Sequence, residues 1–380
     1  MSPASDGSPD TPDPASDPAS DPRPAAHPGP AVGPDWLPEE LDIEQPPRIS
    51  AGKVVTGALS VLLVAAVLAW ILPWATGAQW PQIIDTLLQA PAWALPAVAL
   101  LGAGALALEG LTVRTAVTGS HYSSALLGHT ASTGVGLALP GGSVVGLALM
   151  GWILRRAGPA VPVIITGIIA ASLVEMVITS VLIPLLGLAS YAAGSLLAPT
   201  GIALPGAIWA ALLAVLGAMI ALALTTVLLR RAVLTSILDR LGDMIPSHLT
   251  PMVLTQRDAL VAILRRRTVP LVLPTFAARV LQWAALLVAI NAVGADVPLL
   301  LTVAIFALGR VLSLVPVTPG GAGITETVGA AALVALGVGA ADAAAAMLLL
   351  LITTLVVPLA AGAMAVTVSF VRAPARRRRA

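Results

Sequence analysis

The chain of 380 residues contains no cysteine. Disulfides, thiolate metal sites and cysteine nucleophiles are therefore excluded. Charge is scarce: Asp, Glu, Lys and Arg make up 10% of the residues against 57% hydrophobic, and the mean hydropathy is +0.94. Soluble domains carry roughly a quarter charged residues, so an ordinary soluble domain is excluded as well. The four histidines (His27, His121, His129, His248) form no metal-ligand spacing such as HxxxH, and no HExxH, carboxylate pair or Ser/His/Asp arrangement stands out. No metal, cofactor or nucleic-acid partner is expected. Large apolar groups are nearly absent from residues 1–50, which begin "MSPASDGSPDTPDPASDPASDP". That segment is expected to be a disordered cytoplasmic tail. It has no basic stretch followed by an apolar core, so it does not read as a signal peptide.

What is present is apolar and long. Segments at about 54–74, 91–113, 122–154, 161–189, 203–229, 269–291, 299–340 and 343–371 are uninterrupted enough to cross or enter a hydrocarbon layer. They lack the ~10-residue alternation of a membrane barrel. The connections near 75–90, 190–202 and 292–298 carry no Lys or Arg, whereas seven arginines lie from Arg230 to Arg267, and Arg372 with Arg376 to Arg379 closes the chain. The positive-inside rule places the arginine-bearing ends and both termini in the cytoplasm of a cytoplasmic-membrane protein. Trp70, Trp74, Trp80, Trp93 and Trp209 border the bare loops, as an aromatic belt would.

With this topology, segment 122–154 begins and ends inside, and segment 299–340 begins and ends outside. Each must enter and turn back. Both contain Pro-Gly-Gly, at Pro140, Gly141, Gly142 and at Pro319, Gly320, Gly321, which are 179 residues apart. Proline lacks an amide hydrogen and glycine accepts unusual dihedrals, so the tripeptide suits a sharp reversal. The same offset carries the span from Pro91 onto the one from Pro270, and the span near 161 onto the one near 340. The expected architecture is an all-α polytopic membrane protein with about six full spans plus two re-entrant Pro-Gly-Gly hairpins, arranged as an inverted repeat (repeat one 91–189, repeat two 269–371). A cytoplasmic amphipathic connector (230–268) joins the halves, with Leu234, Ile237, Leu238, Leu241 and Ile245 on one face. A basic tail follows at 373–380.

Charges inside the apolar segments are few: Arg279, Arg310, Glu175 and Glu326, with Glu109 and Asp342 near segment ends where snorkelling is easy. A mid-membrane charge costs at least ~2.5–3.5 kcal/mol, so it faces a partner or a wet cavity. Two pairings are expected, Arg310 with Glu326 across the second hairpin and Glu175 with Arg279 across the two halves. These are either fixed ion pairs or a site in which Arg279 and Arg310 grip an anionic headgroup. His129 is expected to be a hydrogen-bonded packing residue.

The stretch "PVTPGGAGITETVGAAALVALGV" resembles the Pro-Gly-Gly-x-Gly-x-x-Glu signature of the membrane region of lysylphosphatidylglycerol synthases and their stand-alone, flippase-like relatives. "LALPGGSVVG" is similar to that family's first-half motif. By position, Pro319, Gly320, Gly321, Gly323 and Glu326 match the signature, and Pro140 with Gly141 the first-half motif. The chain departs from the family at Thr325, where a basic residue is usual, and in "MLLLLITTLVVP", which has no arginine. The resemblance implies flippase- or scramblase-like translocation of a lipid with an anionic or aminoacylated headgroup, a phospholipid or a polyprenyl phosphate. Membrane lipids, chiefly anionic, are the implied partners. No segment reads as an aminoacyl-transferase domain, so the chain is expected not to be an enzyme. The alternatives are a secondary transporter of a small soluble substrate and a membrane scaffold for an envelope- or lipid-synthesis enzyme.

Overall fold

Apolar runs of this length bury their backbone polar groups within themselves, which is why they fold as helices. The computed structural model describes residues 51–139, 142–197, 207–228, 230–240, 249–313 and 318–371, and no strand occurs among them. Helix α1 runs Ala51–Ala66, passes through a π-turn at Val67–Ile71 and continues as Leu72–Thr76. It is followed by α2 (Trp80–Gln89), α3 (Ala94–Ala116), α4 (Tyr122–Ala138) and α5 (Gly142–Arg156). Helix α6 comprises Val161–Val177, a π-turn Ile178–Leu182 and Ile183–Leu197. Then come α7 (Ala207–Leu228), α8 (Arg231–Arg240), α9 (Leu249–Arg266), α10 (Thr268–Ala292), α11 (Leu299–Leu312) and α12 (Ile324–Ala335). Helix α13 comprises Ala340–Leu351, a π-turn Ile352–Val356 and Val357–Val371.

Five of these helices, in α1, α3, α6, α10 and α13, are long and apolar enough to cross a membrane. The sixth span expected at 203–229 falls on α7, which has 22 residues and no charge. The chain is a multi-pass helical membrane protein. The expected tails at 1–50 and 373–380, and Pro140 and Gly141, lie outside the described residues, as do Leu241 and Ile245 of the connector. In place of one amphipathic connector helix there are two helices, α8 and α9. Helix α9 packs on α6, where the Thr166 hydroxyl bonds to Gln256. The arginine-free connection after α1 is also not a plain loop. Gln79 and Gln82 cap α2, whose Ile83 is buried while Ile84 and Leu88 are exposed.

Helices α4 and α5 form an antiparallel hairpin. Gly128 faces Met150, Gly146 faces Ser132 and Gly142 faces Val135. The approach is so close that a Cβ on Gly146 would sit 2.5 Å from the Ser132 carbonyl oxygen. Small residues allow this contact where larger ones would hold the arms apart. Helices α11 and α12 form the second hairpin through a turn at Pro319–Gly321, in which Gly320 and Gly321 have φ of 61° and 74°. That left-handed conformation is open to glycine at little cost.

The halves interlock reciprocally. Helices α3 and α10 run antiparallel, with Thr115 beside Pro270, Gly104 beside Leu281, and the Thr112 and Thr275 hydroxyls 2.9 Å apart. Helix α4 of the first hairpin packs on the last part of α13, glycine against glycine at Gly134 and Gly362. Helix α11 of the second hairpin packs in turn on the last part of α6, where Gly187 meets Ala307 and Gly194 meets Leu301. The turn of the second hairpin reaches α4: a Cβ on Gly320 would overlap Leu137, three residues before Pro140.

Candidate functional site

Where the hairpins and the antiparallel pair converge, the bundle holds a partly open cavity of about 390 Å³. Its lining is polar for a helix bundle and includes Glu109, His129, Glu175, Arg279, Gln282 and Arg310. Arg279 is the twelfth of the 25 residues of α10, roughly 17–20 Å from either end at 1.5 Å per residue. The charges therefore sit near the middle of a membrane-length helix, where insertion is costly unless they are matched.

Arg279 is the hub. Its Nη1 lies 2.9 Å from Glu109 Oε1 and donates to Gln282 Oε1 at 2.8 Å, and its Nη2 donates to Glu175 Oε1 at 2.8 Å. Its Nε is buried with no hydrogen-bond acceptor. Glu109 Oε2 lies 2.9 Å from His129 Nε2. A carboxylate only accepts, so Nε2 carries the hydrogen. Gln282 also accepts from Arg310 Nη2, and the Arg310 guanidinium lies over the Phe306 ring at 5.3 Å. A chain of polar side chains thus runs His129–Glu109–Arg279–Gln282–Arg310. Among the described residues Arg310 has no carboxylate within ion-pair distance, and its direct partners are the Gln282 amide and the Phe306 ring.

Two further details point inward. The Thr179 hydroxyl, in the π-turn of α6, lines the cavity and is buried without a partner. The corresponding π-turn of α13 supplies Thr353 and Thr354 to the same lining. π-turns inside α-helices are frequent at functional sites, because they break the regular ladder and re-aim side chains.

The expected pairing of Glu175 with Arg279 is present. That of Arg310 with Glu326 is not. Glu326 is the third residue of α12, only 1% exposed, and its Oε2 accepts from the Gly323 N–H at 2.6 Å. The free amides of its own helix start are nearer than the arginine, and a carboxylate at that position satisfies one of them. Glu326 lines a smaller cavity of about 30 Å³, which shares Arg310, Ser313, Gly320 and Thr354 with the large one. Gly320 lines both. Gly321 and Gly323 are buried in the turn that Pro319 begins, and Gly142 is buried against α4. Glu109 does not snorkel: it is buried, seven residues before the α3 end at Ala116. No sequence signal tied Glu109 or Thr179 to the site, since what they face lies on helices far away along the chain, whereas Gln282 stands one turn after Arg279 on α10.

Residues 57–362 match the family described as the lysylphosphatidylglycerol synthase TM region. The chain belongs to that family. The match covers both hairpins and every cavity-lining residue named above. Comparison with curated proteins gives no match.

Proposed function

We propose that this member of the lysylphosphatidylglycerol synthase TM-region family translocates a lipid across the cytoplasmic membrane, holding its anionic headgroup in the central cavity. The observation that carries the reading is Arg310, a cation facing the cavity with no carboxylate within ion-pair distance among the described residues. Such a group is completed by an anion, and a phosphodiester offers acceptors to a planar guanidinium. The unpartnered Arg279 Nε and Thr179 hydroxyl supply further polar positions for it. The volume lies within the ~300–1,000 Å³ usual for small-molecule sites.

The two helical hairpins are re-entrant in this reading, and the two halves form an inverted repeat. Its support is the antiparallel α3–α10 pair and the reciprocal docking of each hairpin on the long helix of the other half. Inverted repeats with broken helices meeting at mid-membrane are an alternating-access architecture. Acyl chains would stay in the bilayer while the headgroup passes the turn at Gly320. The membrane domain acts here by translocation, without aminoacyl transfer.

The test is headgroup accessibility in proteoliposomes carrying fluorescent phosphatidylglycerol in both leaflets, read with a membrane-impermeant quencher. Wild type should allow quenching well beyond half, and Arg310→Gln should leave the inner leaflet protected. Protection in wild type across anionic and aminoacylated headgroups would sink the proposal.

A further inference from the structure

Glu109 is shared between two partners. Its Oε1 serves Arg279 and its Oε2 serves His129, both at 2.9 Å. A histidine that merely packed would not need the carboxylate that also orients the hub of the site. The ring lines the cavity and is 13% exposed, so it is within reach of water there. Thr133, one turn further along α4, has its hydroxyl 3.5 Å from the same ring nitrogen.

The titratable and charged groups around the ring are few. Glu109 comes from α3, Glu175 from α6, Arg279 from α10 and Arg310 from α11. Helices α5 and α13 contribute no titratable side chain to the lining. With a neutral imidazole, the two carboxylates and two guanidiniums cancel. A proton added at Nδ1, Nε2 already carrying its hydrogen, leaves the cavity with one net positive charge. A monoanionic phosphodiester restores neutrality. The imidazolium also holds Glu109 more tightly on its Oε2 side, which frees part of Arg279 for the anion.

We propose that His129 is a positioning residue that couples anion binding in this cavity to the uptake of one proton. The inference rests on the anionic-headgroup reading and adds its linkage to pH. Linkage is reciprocal: if the proton strengthens anion binding, the anion strengthens proton binding by the same factor.

The experiment uses the full chain in nanodiscs of a zwitterionic lipid. Dihexanoyl phosphatidylglycerol, or the same headgroup without acyl chains (glycerophosphoglycerol), is titrated in by calorimetry. Pairs of buffers with different ionisation heats count the protons taken up, between about pH 5.5 and 8.5 where a histidine titrates. Wild type should take up close to one proton per anion near the midpoint. Its affinity should weaken with rising pH by up to about tenfold per unit, the limit for one linked proton. His129→Gln should bind with pH-independent affinity and no uptake, and Glu109→Gln should likewise abolish uptake while keeping the ring.

Uptake with the lipid alone supports coupling to a lipid, and uptake with both probes supports coupling to a phosphodiester generally. Wild-type binding without uptake overturns this inference and leaves the translocation reading standing, a result that needs no variant to fold. Uptake that survives in His129→Gln overturns it too. No binding of either probe at any pH overturns both readings.

Discussion

Replacing Arg279 by glutamine separates the two carboxylates it serves. Arg279 is 4% exposed and holds Glu109 and Glu175 at once, but the two are not equivalent. The Glu109 side chain is 10% exposed, whereas that of Glu175 is 50% exposed. Without the guanidinium, Glu109 is a buried anion left with His129 as its hydrogen-bond partner, and stranding a buried charge costs about 3–5 kcal/mol. Glu175 is half exposed where it lines the cavity, and half-exposed pairs contribute about 0–1 kcal/mol. The expected loss for Arg279→Gln is therefore about 3–5 kcal/mol, nearly all of it through Glu109. Adding Glu109→Gln should recover about 2–3 kcal/mol, whereas adding Glu175→Gln should recover less than about 1 kcal/mol. Equilibrium unfolding in mixed detergent micelles, followed by tryptophan fluorescence, measures each corner of the two cycles. Equal rescue by both second changes, or a loss below about 1 kcal/mol for Arg279→Gln, would refute the argument that burial decides which pair matters.

Two other substitutions probe the second hairpin. Glu326→Gln keeps an oxygen that can accept from Gly323 N–H, so stability should change by less than about 1 kcal/mol, while Glu326→Ala removes the cap at about 1–2 kcal/mol. If the carboxylate's charge matters to translocation, the proteoliposome assay should lose activity with Glu326→Gln in spite of its intact fold. Gly321→Ala combines positive φ with a Cβ placed 2.5 Å from Ser313 Cα, so it should cost about 2–4 kcal/mol. Gly77→Ala, also at positive φ but with nothing within 4 Å, should cost only about 1 kcal/mol. Thermal unfolding of the pair in detergent separates strain from overlap.

The helices and both hairpins were legible because their signals are local. A Pro-Gly-Gly within an apolar run breaks a helix whatever surrounds it, and the structure starts α5 at Gly142 and places a turn at Pro319–Gly321. Glu175 and Arg279 could be matched because each is a lone charge deep in an apolar segment. Glu109 escaped for the opposite reason: it stands near the arginine-bearing end of its segment, where a carboxylate normally reaches water. Only the antiparallel packing of α3 on α10 brings it to Arg279, 170 residues further along the chain. The Arg310–Glu326 pairing failed although the signal against it was visible. Gly323-Ile-Thr-Glu326 has the spacing of a residue that bonds back to its own helix start, and that local bond prevails over the arginine across the turn. Amphipathic α2 shows the same lesson, since Gln79, Pro81 and Gln82 mark a helix start where arginine-free composition suggested a loop.

The reciprocal docking of the hairpins has a consequence for biogenesis. Helix α4 is completed at Ala138, but the surface it packs on begins at Val357, about 220 residues later. At roughly 5–20 residues per second, the ribosome needs on the order of 10–45 s to deliver it. Throughout that interval the first hairpin carries His129 on a half-built scaffold, and for about the first 140 residues of it Arg279 is not there to neutralise Glu109. The nascent chain must keep those polar side chains near water or under the guard of the insertion machinery until its own last helix closes the bundle.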